Sequence, residues 1–220
     1  MEDNILKKPN NAVYQVRGVN PQRFDAILKH AGKTILDVGC GSGAYVLKIA
    51  QEYPQYQIKG VDYQYFESWK EKPDNFLIAD AFSLPFEDNS FDTITLFEVL
   101  EHLPNPEKAL AEYLRVCRKN LILTVPNCDR NMELWKSNLI YSHWFDNTHV
   151  NFYTLDTIKE EVTQAGFKVK EAYLINRLNI QPLINDAFDL SGMVGSLLLK
   201  LLKKREIHDY KITSLIVAEK

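Results

Sequence analysis

Ile35-Leu-Asp-Val-Gly-Cys-Gly-Ser-Gly-Ala-Tyr45 constrains this chain more than any other stretch. A short apolar strand runs into glycines at alternate positions, and a helix is predicted from about Ser42. Gly39, Gly41 and Gly43 place no Cβ where the backbone bends tightly and approaches a ligand, and the first N–H groups of the helix point at whatever lies there. Short apolar strands alternating with helical patterns along the rest of the chain predict an α/β fold with a mostly parallel sheet. Its ligand site is expected at the carboxyl ends of the strands.

Gly39-x-Gly41-x-x-Ala44 also satisfies the dinucleotide fingerprint, which would make the chain a nicotinamide oxidoreductase. A nicotinamide enzyme is expected to carry a second domain suited to hydride chemistry, and none is recognisable in these residues. Asp37 stands inside the strand, where it can accept a hydrogen bond from a cationic or amino-bearing ligand. The run Asp37-Val-Gly-Cys-Gly-Ser-Gly43 resembles the first motif of the class I S-adenosylmethionine (SAM) dependent methyltransferases. Leu84-Pro-Phe-x-x-x-Ser-Phe-Asp92 resembles the entry to their fourth strand. The resemblance covers residues 33–125 well and 126–178 loosely. It implies a doubly wound, seven-stranded sheet of order 3-2-1-4-5-7-6 in a single methyltransferase domain over residues 1–220. An inserted cap at about 127–153, rich in aromatic residues, and a second insertion at about 179–209 are expected.

That family also assigns roles to particular residues. Gly39, Cys40, Gly41 and Gly43 are expected to wrap the methionine part of SAM. Asp62 ends the predicted strand Gln57–Asp62, where doubly wound nucleotide folds place an acid against the ribose hydroxyls, with Tyr63 beside it. Asp80 ends a third strand, and with Ala81 after it the resemblance implies contact with the adenine amino group. Either acid is otherwise a turn-forming Asp. Arg17 precedes the first helix and is positioned to meet the methionine carboxylate, or is a solvated arginine. Glu98 is also expected at the cofactor, and Glu98, Glu101 and His102 follow the fourth strand and face one cleft if that turn is helical. Asp92 is read as a structural residue at the strand start.

Methyl transfer from a sulfonium is an in-line displacement, so holding donor and acceptor in line dominates. A base is needed only where the acceptor is a hydroxyl, and histidine is the natural candidate. His149 lies in Asp146-Asn-Thr-His-Val-Asn-Phe-Tyr153, which resembles a recurring segment of related methyltransferases; His102 and His143 are the other options. Each histidine is equally well read as a hydrogen-bonded packing residue. Glu98, Glu101, His102 and a cap histidine also offer a mixed site for Mg²⁺ or Mn²⁺, as in the terminal RNA 2′-O-methyltransferases, whose Glu-x-x-Glu-His segment is similar. A net charge of −3 and the lack of a basic track argue against RNA, and no metal is expected.

The expected activity is transfer of methyl from SAM to an oxygen, or less readily a nitrogen, of a small acceptor. A SAM-binding interaction module that has lost its chemistry is the alternative. Three irregularly spaced cysteines and a charged N-terminus without an apolar leader fit the cytoplasm. Leu190, Val194, Leu197, Leu198 and Leu201 form an apolar stripe too short to span a membrane. Residues 190–205 are expected to pack on the domain itself, on a second subunit or on a membrane surface.

Overall fold

The computed structural model describes residues 18–129, 146–177 and 211–220. Seven strands form one sheet: β1 (Thr34–Val38), β2 (Gln57–Asp62), β3 (Phe76–Ile78), β4 (Phe91–Phe97), β5 (Cys117–Pro126), β6 (Lys168–Arg177) and β7 (Lys211–Glu219). Their order is β3-β2-β1-β4-β5-β7-β6. The first five are parallel, and β7 runs antiparallel to both β5 and β6. Both the order and the antiparallel edge match expectation.

Helices α1 (Pro21–His30) and α2 (Ala44–Glu52) cover one face, and α3 (Pro106–Val116) and α4 (Leu155–Gln164) the other. Strand periodicity explains the division. Ile35 packs with Phe24, Ile27, Val46 and Ile49, while Leu36 and Val38 pack with Leu110, Tyr113 and Ile158 on the opposite side. A central strand sandwiched in this way is buried on both faces, which is why residues 121–125 of β5 read as a nearly continuous hydrophobic run.

Two local devices fix the elements. Asn20 caps α1 by accepting from Arg23 N–H, with Pro21 in the first turn. Thr154 and Thr157 form a reciprocal capping box at the start of α4. Asp92 is structural, as expected: its carboxylate accepts from Lys33 N–H at 3.0 Å and pairs with Arg118 and Lys119, and these partners hold its pKa below the usual range against its burial.

The order of strands reverses between β1 and β4, and doubly wound folds bind ligands outside the carboxyl ends of the strands at such a reversal. Among the described residues no helix is long and apolar enough to cross a membrane. The stripe at 190–205 lies outside the described residues, as do most of the expected cap and the second insertion.

Candidate active site

The turn after β1 is left-handed at three points, with φ of 66° at Gly39, 53° at Gly41 and 77° at Gly43. A side chain at Gly43 would enter the Phe76 ring, with Cβ 2.4 Å from it, and one at Gly39 would strike Val99 at 2.5 Å. At Gly41 a Cβ would meet nothing within 4 Å. Two glycines are thus demanded by the protein's own packing, while the middle one leaves open space of the kind a close-fitting ligand occupies.

The turn is braced from below. Cys40 donates its N–H to Val61 O, accepts from Gly43 N–H at its carbonyl and packs its sulfur over Gly60. Trp69 Nε1 donates to Gly41 O at 2.9 Å and Ser68 Oγ to Ser42 O at 2.7 Å. Trp69 in turn stacks on Phe76 at 4.8 Å, nearly parallel. The sequence shows residues 63–73 only as aromatic and charged, so this bracing was missed.

Acids line the edge. Asp37 is buried, is the cross-strand neighbour of Thr95 and accepts from Thr95 Oγ1 at 2.7 Å. Burial first, against the relief of that hydrogen bond, pushes its pKa up to about 7. Asp62 accepts from Gly41 N–H at 2.9 Å and from Gln64 N–H at 3.3 Å, tying the tip of β2 to the glycine turn; burial raises its pKa as well. Tyr63 beside it is 73% exposed. Asp80 is exposed, accepts from Phe82 N–H and precedes half-buried Ala81.

At the tip of β4 the sequence reading needs correcting. Glu98, Glu101 and His102 do not share a helical face, because Glu98 has φ +60° and only Leu100–His102 form a single 3-10 turn. Glu98 turns back under α1, where its Oε1 accepts from Arg23 Nη2 at 2.5 Å and from Thr124 Oγ1 at 3.0 Å. Arg23 also lies over the Phe97 ring, against which Tyr45 packs. Arg23 was not anticipated. Its place four residues before buried Ile27, a charge within an apolar helical stripe, was the available signal.

Glu101 and His102 remain at the cleft, and His149 joins them. The segment bearing His149 is stapled to the 3-10 turn: Val150 and Asn151 N–H groups donate to Glu101 O, and Asn151 Nδ2 donates to Leu100 O and Leu103 O at 3.0 and 2.6 Å. The rings of His102 and His149 meet edge to face, 4.7 Å apart. His102 Nδ1 lies 3.2 Å from Thr148 O, and a carbonyl only accepts, so the proton sits on Nδ1 and the lone pair on Nε2. Burial lowers the pKa of His102. Arg17 and His143 lie outside the described residues.

A methyltransferase domain family model matches residues 14–172. O-methyltransferase cnsE of Penicillium expansum is 29% identical over 204 residues, covering 86% of this chain and 72% of its own length. O-methyltransferase rstn1 of Aspergillus nomiae is 36% identical over 103 residues, covering 43% of this chain and 46% of its own. The chain therefore spans less than half of that second relative. A SAM dependent methyltransferase from Archaeoglobus fulgidus shares the fold, with a TM-score of 0.62, 22% identity and 90% of each chain covered. With the family model spanning the glycine turn, every parallel strand and the histidine segment, the chain belongs to the methyltransferase domain family of class I SAM-dependent proteins.

Proposed function

We propose that this protein methylates an oxygen of a small-molecule acceptor bound at the His102–His149 pair. The open space beside Gly41 fits a cofactor drawn close to the backbone, and Asp37, Gly39, Cys40, Gly41, Gly43, Asp62, Tyr63, Asp80 and Ala81 are assigned to its binding. SAM supplies an electrophilic methyl group on a sulfonium. Asp37 and Asp62 favour the cationic amino acid portion and the ribose hydroxyls respectively, while Cys40 keeps the turn in shape. Glu98 acts through Arg23, holding α1 against the tip of β4.

One observation carries the choice of acceptor end. Two imidazoles meet 4.7 Å apart beside the turn that follows β4, and Val99, three residues before His102, packs against Gly39 of the glycine turn. Imidazole nitrogens at that place suit an acceptor hydroxyl, whose proton must be lost as its oxygen is alkylated. The names of the fungal relatives favour oxygen as the acceptor atom as well.

The test is calorimetry with S-adenosylhomocysteine (SAH), followed by transfer of isotope-labelled methyl from SAM to a panel of phenols, hydroxyquinones and hydroxy acids. Binding of SAH and label in an ether or ester product are expected. A folded protein that binds no SAH overturns the reading. Cofactor binding with no transfer to any oxygen acceptor returns it to an interaction module.

A further inference from the structure

One ligand atom from each of Glu101, His102 and His149 lies within 4.8 Å of the others, bringing a carboxylate and two imidazoles to a single point. We propose that these three residues hold a divalent first-row transition metal ion to which the acceptor oxygen binds. The inference rests on the reading of this corner as the acceptor end.

The donor set selects the ion. Two imidazoles with one carboxylate suit Mn²⁺, Fe²⁺, Co²⁺ or Zn²⁺, whereas Mg²⁺ and Ca²⁺ prefer oxygen throughout. Bonds of about 2.1 Å put two ligand atoms roughly 3–4 Å apart around one ion, so small side-chain rotations close this set. Glu101 Oε1 and His102 Nε2 already stand 4.0 Å apart.

The surroundings orient and charge the cluster. The Thr148 carbonyl fixes the proton of His102 on Nδ1 and leaves Nε2 facing Glu101, the arrangement in which an outer acceptor orients a metal-binding imidazole. Asp146 Oδ2 lies 3.6 Å from His149 Nε2. The carboxylates of Glu101 and Asp146 stand beside the two imidazoles, while the charge of Glu98 is met by Arg23. Glu98 is not itself in the set, because Arg23 holds it.

Three protein ligands leave coordination positions open, as catalytic sites do and structural ones do not. An acceptor offering two adjacent oxygens, such as a catechol or an α-hydroxy carbonyl, fills two of them. With the ion bound the two imidazoles serve as ligands and not as the base: the ion makes the bound hydroxyl more acidic and its proton leaves to solvent. An oxygen lone pair then forms the bond to the methyl carbon, while the carbon–sulfur pair stays on sulfur and the neutral thioether departs.

The test titrates chelator-stripped protein with Mn²⁺ alone, followed by the loss of the free-ion paramagnetic signal, and with Co²⁺ alone, followed by its visible bands. SAH calorimetry is run in parallel. Saturable binding of one ion per chain is expected, with Co²⁺ bands of mixed nitrogen and oxygen ligation in the unaltered protein. Affinity is expected to fall by at least about tenfold in His102→Ala and in His149→Ala, with SAH affinity retained. No saturable site, or binding that survives both substitutions, overturns the proposal. Ion binding without SAH binding upholds the ion site and removes the methyl-transfer reading on which its role depends.

Discussion

At the tips of β1 and β2 the ligand edge is closed by residues near one another in sequence or on paired strands, whereas at the tip of β4 it is closed by a segment that returns 46 residues later to His102. The first corner is braced largely from within: Gly41 and Gly43, Asp62, Trp69 and Phe76 hold one another, and Val99 from past β4 packs on Gly39. The second depends on the backbone of Glu101 and the side chain of Asn151 to bring His149 in. A donor site built locally does not depend on distant chain, while an acceptor site assembled from a returning segment can change with that segment.

Arg23 ties the second corner to α1, and its removal has the largest expected effect. The Glu98 side chain is 7% exposed, so Arg23→Met strands a buried carboxylate and costs about 3–5 kcal/mol in chemical denaturation. The double variant Arg23→Met/Glu98→Gln recovers most of that loss. If the single variant is as stable as the parent, this pair does not hold the second corner to α1.

Within the first corner, Gly43→Ala combines left-handed strain with collision against Phe76 and lowers stability by about 2–4 kcal/mol. Gly41→Ala has the strain without the collision, about 1–2 kcal/mol, yet places its methyl in the open space assigned to the cofactor. Calorimetry with SAH is expected to show the greater loss of binding per unit of lost stability at Gly41. Equal ratios at the two positions would mean that the space beside Gly41 is not the cofactor's.

Asp37 separates the corners by pH. Its folded pKa of about 7 lies above its ordinary value of 3.8, so the fold favours the protonated carboxyl. That contribution is complete below the unfolded pKa and is lost as pH rises through 7, removing about 2 kcal/mol between pH 5.5 and 8.5. In Asp37→Asn this part of the pH dependence is expected to vanish, while SAH affinity near pH 8 falls through loss of the carboxylate. A variant with the parent's full pH dependence would place the titration elsewhere.

The two corners also differ in how far the sequence discloses them. Asp37, the glycines and Asp62 sit at fixed spacings on adjacent strands, so local pattern and the topology of a doubly wound sheet suffice to bring them together. Glu98, Glu101 and His102 have helical spacing, but the positive φ at Glu98 rotates its side chain out of the set, and spacing carries no sign of that. Arg23 resembles any surface arginine until its place in the buried stripe of α1 is noticed. The meeting of His149 with His102 depends on hydrogen bonds to backbone carbonyls, which leave no mark in residue pattern.

Asn151 gives the smallest effect on stability and the most direct reading of the second corner. Its Nδ2 holds two carbonyls, Leu100 O and Leu103 O, and no titrating or ligating group. Asn151→Ala should therefore cost only about 1 kcal/mol, the net worth of partly buried neutral hydrogen bonds. It should nevertheless loosen His149 from His102, and misplacement on that scale lowers turnover by about tenfold or more. SAH binding, made at the other corner, should be unchanged. Stability, cofactor affinity and turnover measured on this one variant thus separate a donor site that stands alone from an acceptor site held by its staple, and a parallel fall in all three would show that the corners are one unit.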